Sequence, residues 1–160
     1  MIEEYKIILA KAAQDKKNIS NKIKALKKKK KGEVDKLIHP LHEEAFEVID
    51  CLKCANCCST TGPLLNQKDI ERIARYKQMK AGDFVSKFLH IDEDQDYIFN
   101  EMPCVFLGED HYCSIYEYRP KACREYPHTD RVNQQGILSI TSKNAFICPA
   151  VAHIMINLKL

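Results

Sequence analysis

Eight cysteines are the residues of this 160-residue sequence whose type and spacing could do chemistry. Four of them fall within one short stretch, as Cys51, Cys54, Cys57 and Cys58. Sulfurs three residues apart on a tight loop can converge on one centre, and a C-x2-C-x2-C run lets one loop hold three corners of an iron–sulfur cluster. A tetrahedral zinc site can use such a loop too, although zinc ribbons more often take two sulfurs from each of two loops.

The adjacency of Cys57 and Cys58 bears on the number of metal centres. Neighbouring side chains normally point apart, so we do not expect these two to serve the same ion in an unstrained loop. Either two centres form, or one centre forms beside a spare thiol. Eight thiolates could divide into two four-cysteine sites, although a single downstream cysteine could instead be a small buried hydrophobe. The downstream cysteines are Cys104, Cys113, Cys123 and Cys148.

Cationic side chains lie beside several of these cysteines in the sequence. A group of thiolates around zinc or an iron–sulfur core carries net negative charge, which needs compensation when the site is half buried. The positive charge that compensates it could come from Arg119, Arg124, Lys53 and Lys121, and backbone N–H groups could donate hydrogen bonds to the sulfurs. We therefore expect Arg119 and Arg124 to contribute to holding the metal or cluster.

The amino-acid composition indicates what class of protein contains these cysteines. At 45% hydrophobic and 29% charged residues the chain has enough apolar mass for a core, and no run of about 18 apolar residues spans a membrane. The acidic start, residues 1–6, lacks the layout of a signal peptide. We therefore expect a cytoplasmic protein, whose reducing surroundings favour metal ligation over disulfides.

The elements that position the cysteines fall into two regions, divided near Asp50. The first region carries a heptad seam, which predicts one long helix that lays a stripe on a partner surface and ends before Gly32. A second helical pattern follows, with Pro40 expected to kink it or to mark its start. An antiparallel helical hairpin is the simplest assembly, and a dimerising helix is the alternative. The seam consists of Ile2, Tyr5, Leu9, Ala12, Lys16, Ile19, Ile23 and Leu26.

The second region has short elements. Asn66 can cap a helix from Gln67 to about Met79, and Pro149 can begin a last helix. Brief strands are expected at 97–99, in a hairpin over 104–115, and at 137–140. The predicted fold class is α+β: a small metal-stapled domain of short helices and strands at residues 51–160, preceded by the helical hairpin at residues 1–50.

The net charge of +3 resides wholly in residues 1–50, where Lys27 to Lys31 form a block of five. Such a block is typical of a solvated helix end, where cations are favoured by the helix dipole. The alternative is a contact for an acidic partner or nucleic acid. We expect no nucleic-acid partner, because the remaining sequence lacks a basic stripe with interleaved aromatics.

Short blocks of residues, most of them containing cysteine, follow one another in an order that resembles a known family. In this sequence the blocks are Cys51-x2-Cys54-x2-Cys57-Cys58, Asp69-Ile70, Pro103-Cys104, Cys113-Ser114, Arg119-Pro120-x2-Cys123-Arg124 and Cys148-Pro149. This order is similar to that of the CxxCxxCC cysteine-cluster family, described as a zinc- or iron-chelating domain, over about residues 51–150. The resemblance implies that all eight cysteines are metal ligands, and Arg119 and Arg124 match non-cysteine positions of the pattern.

Three functions are compatible with these observations. The first is a cytosolic metal-binding protein that holds zinc, or iron as an iron–sulfur cluster, in one or two cysteine-ligated centres. The second is an iron–sulfur-dependent oxidoreductase or protein-modifying enzyme, a label that some family members carry. The third is an interaction module with a structural metal and a basic helical arm. All three share a metal ion or cluster as partner, and no acid, base or substrate-pocket motif separates them.

Overall fold

The computed structural model describes all residues from Met1 to Leu160. It is 59% helical with one two-stranded sheet, so the predicted α+β class is confirmed. The helices are α1 (Glu3–Gln14), α2 (Lys16–Lys27), α3 (Glu33–Val48), α4 (Cys51–Cys54), α5 (Asn56–Thr60), α6 (Gln67–Tyr76), α7 (Ala81–Phe88), α8 (Lys121–Glu125), α9 (Leu138–Asn144) and α10 (Pro149–Asn157). The strands β1 (Leu89–Ile91) and β2 (Tyr97–Phe99) pair antiparallel, with Leu89 opposite Phe99.

The chain folds into two compact units. Residues 1–54 and 127–160 form one, called here the terminal unit, and residues 55–126 form the other, called the middle unit. This grouping follows packing, because the C-terminal helices lie against the N-terminal ones. The predicted division into domains at residue 50 stays a prediction, and the compact units do not follow it.

Helix α10 is the centre of the terminal unit. It packs against both α1 and α3, and it also contacts α2 and α9. Such a helix is apolar nearly all round, which is typical of a helix that is covered on every side. Its buried residues are Pro149, Ala150, Val151, Ala152, Ile154 and Met155.

Five of the eight residues of the heptad seam are buried, but the seam lies on two helices instead of the predicted single one. Asp15 leaves helical geometry, with φ −92° and ψ 17°, and Lys16 begins α2 at an exposed position. The lysine in the seam marks this break, because a charged side chain gains nothing from burial. The seam residues that this chain's own core covers are Tyr5, Ala12, Ile19, Ile23 and Leu26.

The predicted strand at 137–140 is wrong, since Leu138 begins helix α9. Leu138 and Thr141 are buried while Ile140 is 43% exposed, which is the burial of one helical face. A short apolar run does not distinguish a strand from a buried helix turn. Pro40 does not mark the start of helix α3, because that helix begins at Glu33 and continues through Pro40.

Asp35 ties α3 to the turn before α9 within the terminal unit. Its two carboxylate oxygens accept the backbone N–H groups of Asn133 and Gln134, each at 2.8 Å. Burial opposes ionisation of Asp35, but these two donors and the nearby His39 hold the pKa of that carboxyl below its usual range. The ionised form is therefore the one that the fold stabilises.

Replacing Asp35 by alanine is expected to lower the free energy of unfolding by about 1 kcal/mol, since two largely exposed hydrogen bonds are lost. Because the folded-state pKa is depressed, the parent should hold this contribution at neutral pH and lose it as pH falls through that pKa. Urea unfolding at pH 7 and at acidic pH measures both effects. Glu44→Ala, at an exposed site on the same helix, is the control. A D35A effect that persists undiminished at acidic pH would contradict this role.

The middle unit is built around aromatic packing. The Phe84 and Phe106 rings are stacked at 6.3 Å, and Phe88 and Phe99 approach Phe106 at 5.3 and 5.5 Å. Helix α6 begins at Gln67 and is capped by Asn66 as predicted, with a capping box in which the Asn66 side chain accepts the Asp69 N–H at 2.9 Å. This core supports both the sheet and the loops that carry the cysteines.

The predicted hairpin over 104–115 forms as a tight turn with little strand. Leu107 and Cys113 make a single antiparallel bridge, and Gly108 donates its N–H to the Tyr112 carbonyl at 2.8 Å. Ser114 donates to the Phe106 carbonyl at 2.8 Å. The turn forms at Gly108-Glu109-Asp110, and the segments on either side of it are too short to extend the ladder.

No single helix has the length and apolar character to cross a membrane. Gln134–Asn144 and Pro149–Asn157 meet that test only as a pair, which is bent by 112°.

Candidate metal centre

The terminal unit holds three of the eight cysteines. One helical turn, α4, carries Cys51 and Cys54, and the Asp50 side chain accepts the Leu52 N–H at 2.9 Å at its start. Residues three apart in a helix share a face, so this turn presents both sulfurs on one side. Cys51 is exposed and Cys54 is buried. The sequence spacing therefore becomes a short helix here and not an open loop.

Cys148 is the third cysteine of the terminal unit and precedes the first residue of α10. Burial raises the pKa of its thiol to about 12. The N–H groups of Val151 and Ala150 act in the opposite direction, while negative charge on Cys51 and Cys54 raises the pKa further. Cys51, Cys54 and Cys148 thus lie close enough to act on one another, and we call them the terminal thiol group.

The middle unit holds the remaining five cysteines. Cys57 and Cys58 lie in α5, which starts after Ala55 in a left-handed conformation. Cys104 donates its N–H to the Cys58 carbonyl at 2.8 Å. This backbone contact joins two cysteine blocks that are far apart in the sequence.

Backbone N–H groups surround the thiols of the 104–115 turn. The Phe106 N–H lowers the pKa of the Cys104 thiol, with a smaller effect from the Leu107 N–H, whose hydrogen bond at 2.8 Å goes to the Cys104 carbonyl. The Ile115 N–H acts in the same way on the Cys113 thiol. Such donors stabilise negative charge on sulfur, which is the form that binds a metal. Cys104 and Cys113 are thus prepared for a thiolate that the surrounding apolar core would otherwise disfavour.

The thiols of the middle unit also act on one another. Burial raises the pKa of Cys123 to about 12, and negative charge on Cys58, Cys104 and Cys113 raises it further. Burial likewise raises the pKa of Cys104 to about 11. Cys57 donates a hydrogen bond that lowers the pKa of Cys58 to about 7 against the effect of burial. A cation would relieve this mutual repulsion of thiolates. We call Cys58, Cys104, Cys113 and Cys123 the middle thiol group.

Arg119 brings positive charge to this group. Its guanidinium lies 3.8 Å from the centre of the Tyr116 ring and donates to the Tyr116 carbonyl. The charge of Arg119 acts to lower the pKa of both Cys113 and Cys123, although burial keeps each raised. Arg124 instead donates to the Arg119 carbonyl at 3.1 Å. Arg119 thus acts on the charge of the sulfurs, whereas Arg124, in helix α8, contacts the Arg119 backbone.

Two further residues contact the loop before Cys123, although the sequence predictions did not include them in the site. Asp69 and Arg72 of α6 form a 2.7 Å ion pair that reaches the loop between the Tyr116–Tyr118 turn and α8. The available signal was the Asp69-Ile70 block, which matches the family pattern but was not assigned a role in the site.

The structure contains no group of three or more histidine, cysteine, aspartate or glutamate side chains that are positioned to bind one metal ion. All eight cysteines are free of disulfide bonds. The donor set itself suits zinc or iron: soft sulfur ligands, N–H donors to them and one adjacent cation. It does not suit calcium or magnesium, which take oxygen ligands.

Comparison with known proteins agrees with this donor chemistry. The family model described as "CxxCxxCC: Putative zinc- or iron-chelating domain" matches residues 50–149, which is more than half of the chain and contains all eight cysteines. No curated protein and no solved structure matches. The resemblance predicted from the sequence is confirmed, and the chain belongs to the CxxCxxCC family of zinc- or iron-chelating domains.

Proposed function

We propose that this is a cytosolic metal-binding protein that holds zinc, or iron as an iron–sulfur cluster, through the thiolates of its cysteines. The observation that carries the proposal is the surroundings of Cys104 and Cys113, where backbone N–H groups point at sulfurs that lie in a partly buried, thiol-rich site. A protein that used these residues only as small hydrophobes would gain nothing from those donors. Bound zinc would cross-link the parts of the chain that supply its ligands and so stabilise the fold, whereas an iron–sulfur cluster could transfer electrons.

We further propose that the cysteines serve two centres, one for each compact unit. The middle thiol group supplies four sulfurs, the number that closes a tetrahedral zinc site or holds a four-iron cluster. Cys57 is then the spare thiol, which donates a hydrogen bond to Cys58. The terminal thiol group supplies three. Arg119 offsets part of the negative charge of the middle centre, while Arg124 shapes the loop that presents it.

Anaerobic purification followed by metal analysis and an absorption spectrum tests the proposed function. We expect either a colourless protein that contains zinc or a brown protein with iron, acid-labile sulfide and visible charge-transfer absorption. A protein that contains neither metal, and takes up neither after reduction of its thiols, would contradict the proposal.

Serine substitutions test the two-centre proposal. Cys148→Ser should lower the metal content by the share of the terminal centre and leave that of the middle centre, and Cys123→Ser should do the reverse. Metal analysis of both variants and of the double variant measures the two shares. If either single substitution removes all the metal, the thiols serve one centre and the division is wrong.

The enzyme and interaction-module alternatives stay predictions. The lysine block that suggested a basic arm follows the end of α2, where the Gln135 side chain donates to the carbonyls of Lys27 and Lys29. This contact gives the block a place in the terminal unit and favours neither alternative.

A further inference from the structure

The chain segment that leads into Cys123 is held by a buried carboxylate from another helix. Asp69 in α6 is only 2% exposed. One oxygen of its carboxylate, Oδ1, accepts the Lys121 N–H at 3.1 Å and the Arg72 Nη2 at 2.7 Å. Lys121 is the first residue of α8, two residues before Cys123. A single oxygen atom therefore connects α6 to the start of the helix that carries a thiol.

Arg72 extends the same contact along the loop. Its Nη1 donates to the Tyr118 carbonyl, and its Nη2 donates to the Arg119 carbonyl at 3.1 Å. The Arg119 carbonyl also accepts from Arg124 at 3.1 Å. The backbone of Arg119 is thus held from two sides, and its guanidinium is left to lie over Tyr116 near the sulfurs.

Capping of α6 does not account for this arrangement. The capping box uses the other oxygen of Asp69, Oδ2, which accepts the Asn66 N–H at 3.4 Å. A carboxylate that only capped a helix could remain exposed, and burial of a charge is costly unless it is paired and hydrogen-bonded. Asp69 meets that requirement through Arg72 and Lys121, so its burial is tied to the loop before Cys123.

We propose that Asp69 and Arg72 are positioning residues of the middle metal centre, which hold residues 118–123 so that the Cys123 thiol and the Arg119 guanidinium face the other thiols of the group. The inference rests on the proposed function and names residues outside the ligand set. Partners that orient metal ligands typically change metal affinity by about 10–100-fold when they are replaced.

Co²⁺ bound to the full-length protein is the probe, because its absorption reports thiolate coordination directly. We expect Arg72→Met and Asp69→Asn to release Co²⁺ to a chelator about tenfold faster than the parent or more, and to alter the sulfur-to-cobalt absorption band. Arg72→Lys should release Co²⁺ more slowly than Arg72→Met but faster than the parent. Lysine keeps the positive charge but lacks the guanidinium that donates to two carbonyls.

Asn66→Ala is the matched control, because it removes the α6 cap without touching residues 118–123. It should lower the melting temperature but keep the parental spectrum and release rate. N66A and D69N are compared at an equal loss of melting temperature. If N66A then changes the spectrum and the release rate as much as D69N does, the role of Asp69 is only structural and the inference is overturned. A parent that binds no Co²⁺, zinc or iron contradicts the proposed function itself, and the inference falls with it.

Discussion

Replacing Cys104 by serine is expected to remove the metal of the middle unit and most of that unit's stability. Structural zinc contributes an apparent binding free energy of about 10–16 kcal/mol at neutral pH, and this energy is coupled to folding. Whole domains are stable by only about 5–15 kcal/mol. If the middle thiol group holds zinc as proposed, the loss of one of its four thiolates costs an amount comparable with the total stability. Metal analysis and thermal melting followed by circular dichroism measure both losses.

Ser114→Ala is the control for Cys104→Ser within the same turn. The Ser114 hydroxyl donates to the Phe106 carbonyl at 3.1 Å, so its loss should cost about 1 kcal/mol and leave the metal content unchanged. Treatment of the parent with a strong chelator should reproduce the melting behaviour of the Cys104 variant. A C104S protein with full metal content and the parental melting temperature would show that Cys104 is not a ligand.

Phe84→Ala is expected to destabilise the middle unit by about 3–5 kcal/mol. Phe84 is fully buried in the apolar cluster that also contains Phe106, and its ring lies 5.1 Å from that of Phe88. Truncation removes these contacts and leaves a cavity that close-packed neighbours fill only in part. Because Phe106 lies two residues after Cys104, we also expect weaker metal retention. Urea unfolding of the metal-loaded protein measures the stability.

Ser86→Ala tests whether the loss in F84A comes from the core. Ser86 lies on the same helix, α7, at an exposed position. Its replacement should change the free energy of unfolding by no more than about 0.5 kcal/mol. An F84A effect that is no larger than that of S86A would mean that the aromatic cluster contributes little to stability.

Elements with strong local signals were predictable from the sequence. Asn66 and Asp69 start α6 through a capping box, Pro149 starts α10, and Gly108 lies in the turn before Cys113. Each signal depends on backbone groups only a few residues away. The fold class could be predicted for the same reason, since it depends on the presence of such elements and not on their arrangement.

Elements defined by distant contacts were not predictable. The seam of α1 and α2 identified a buried stripe, but only the packing shows that much of its cover is α10, which lies more than 120 residues further along the chain. Residues 137–140 are too few for the spacing of apolar residues to distinguish a helix from a strand. In the structure this segment leads into α9, which packs against α2. The contact between Asp69 and the Lys121 N–H could not be predicted, because Lys121 is also distant in sequence.

The sequence by itself determined that this chain is a cysteine-rich member of a zinc- or iron-chelating family, because the number, spacing and order of sulfurs are written in the residues. Only the tertiary structure decided how those sulfurs are grouped. The fold assigns Cys58, Cys104, Cys113 and Cys123 to the middle unit, and it assigns Cys51, Cys54 and Cys148 to the terminal unit. Ligand spacing is a local property, whereas the sharing of one ion by distant residues depends on how the core folds.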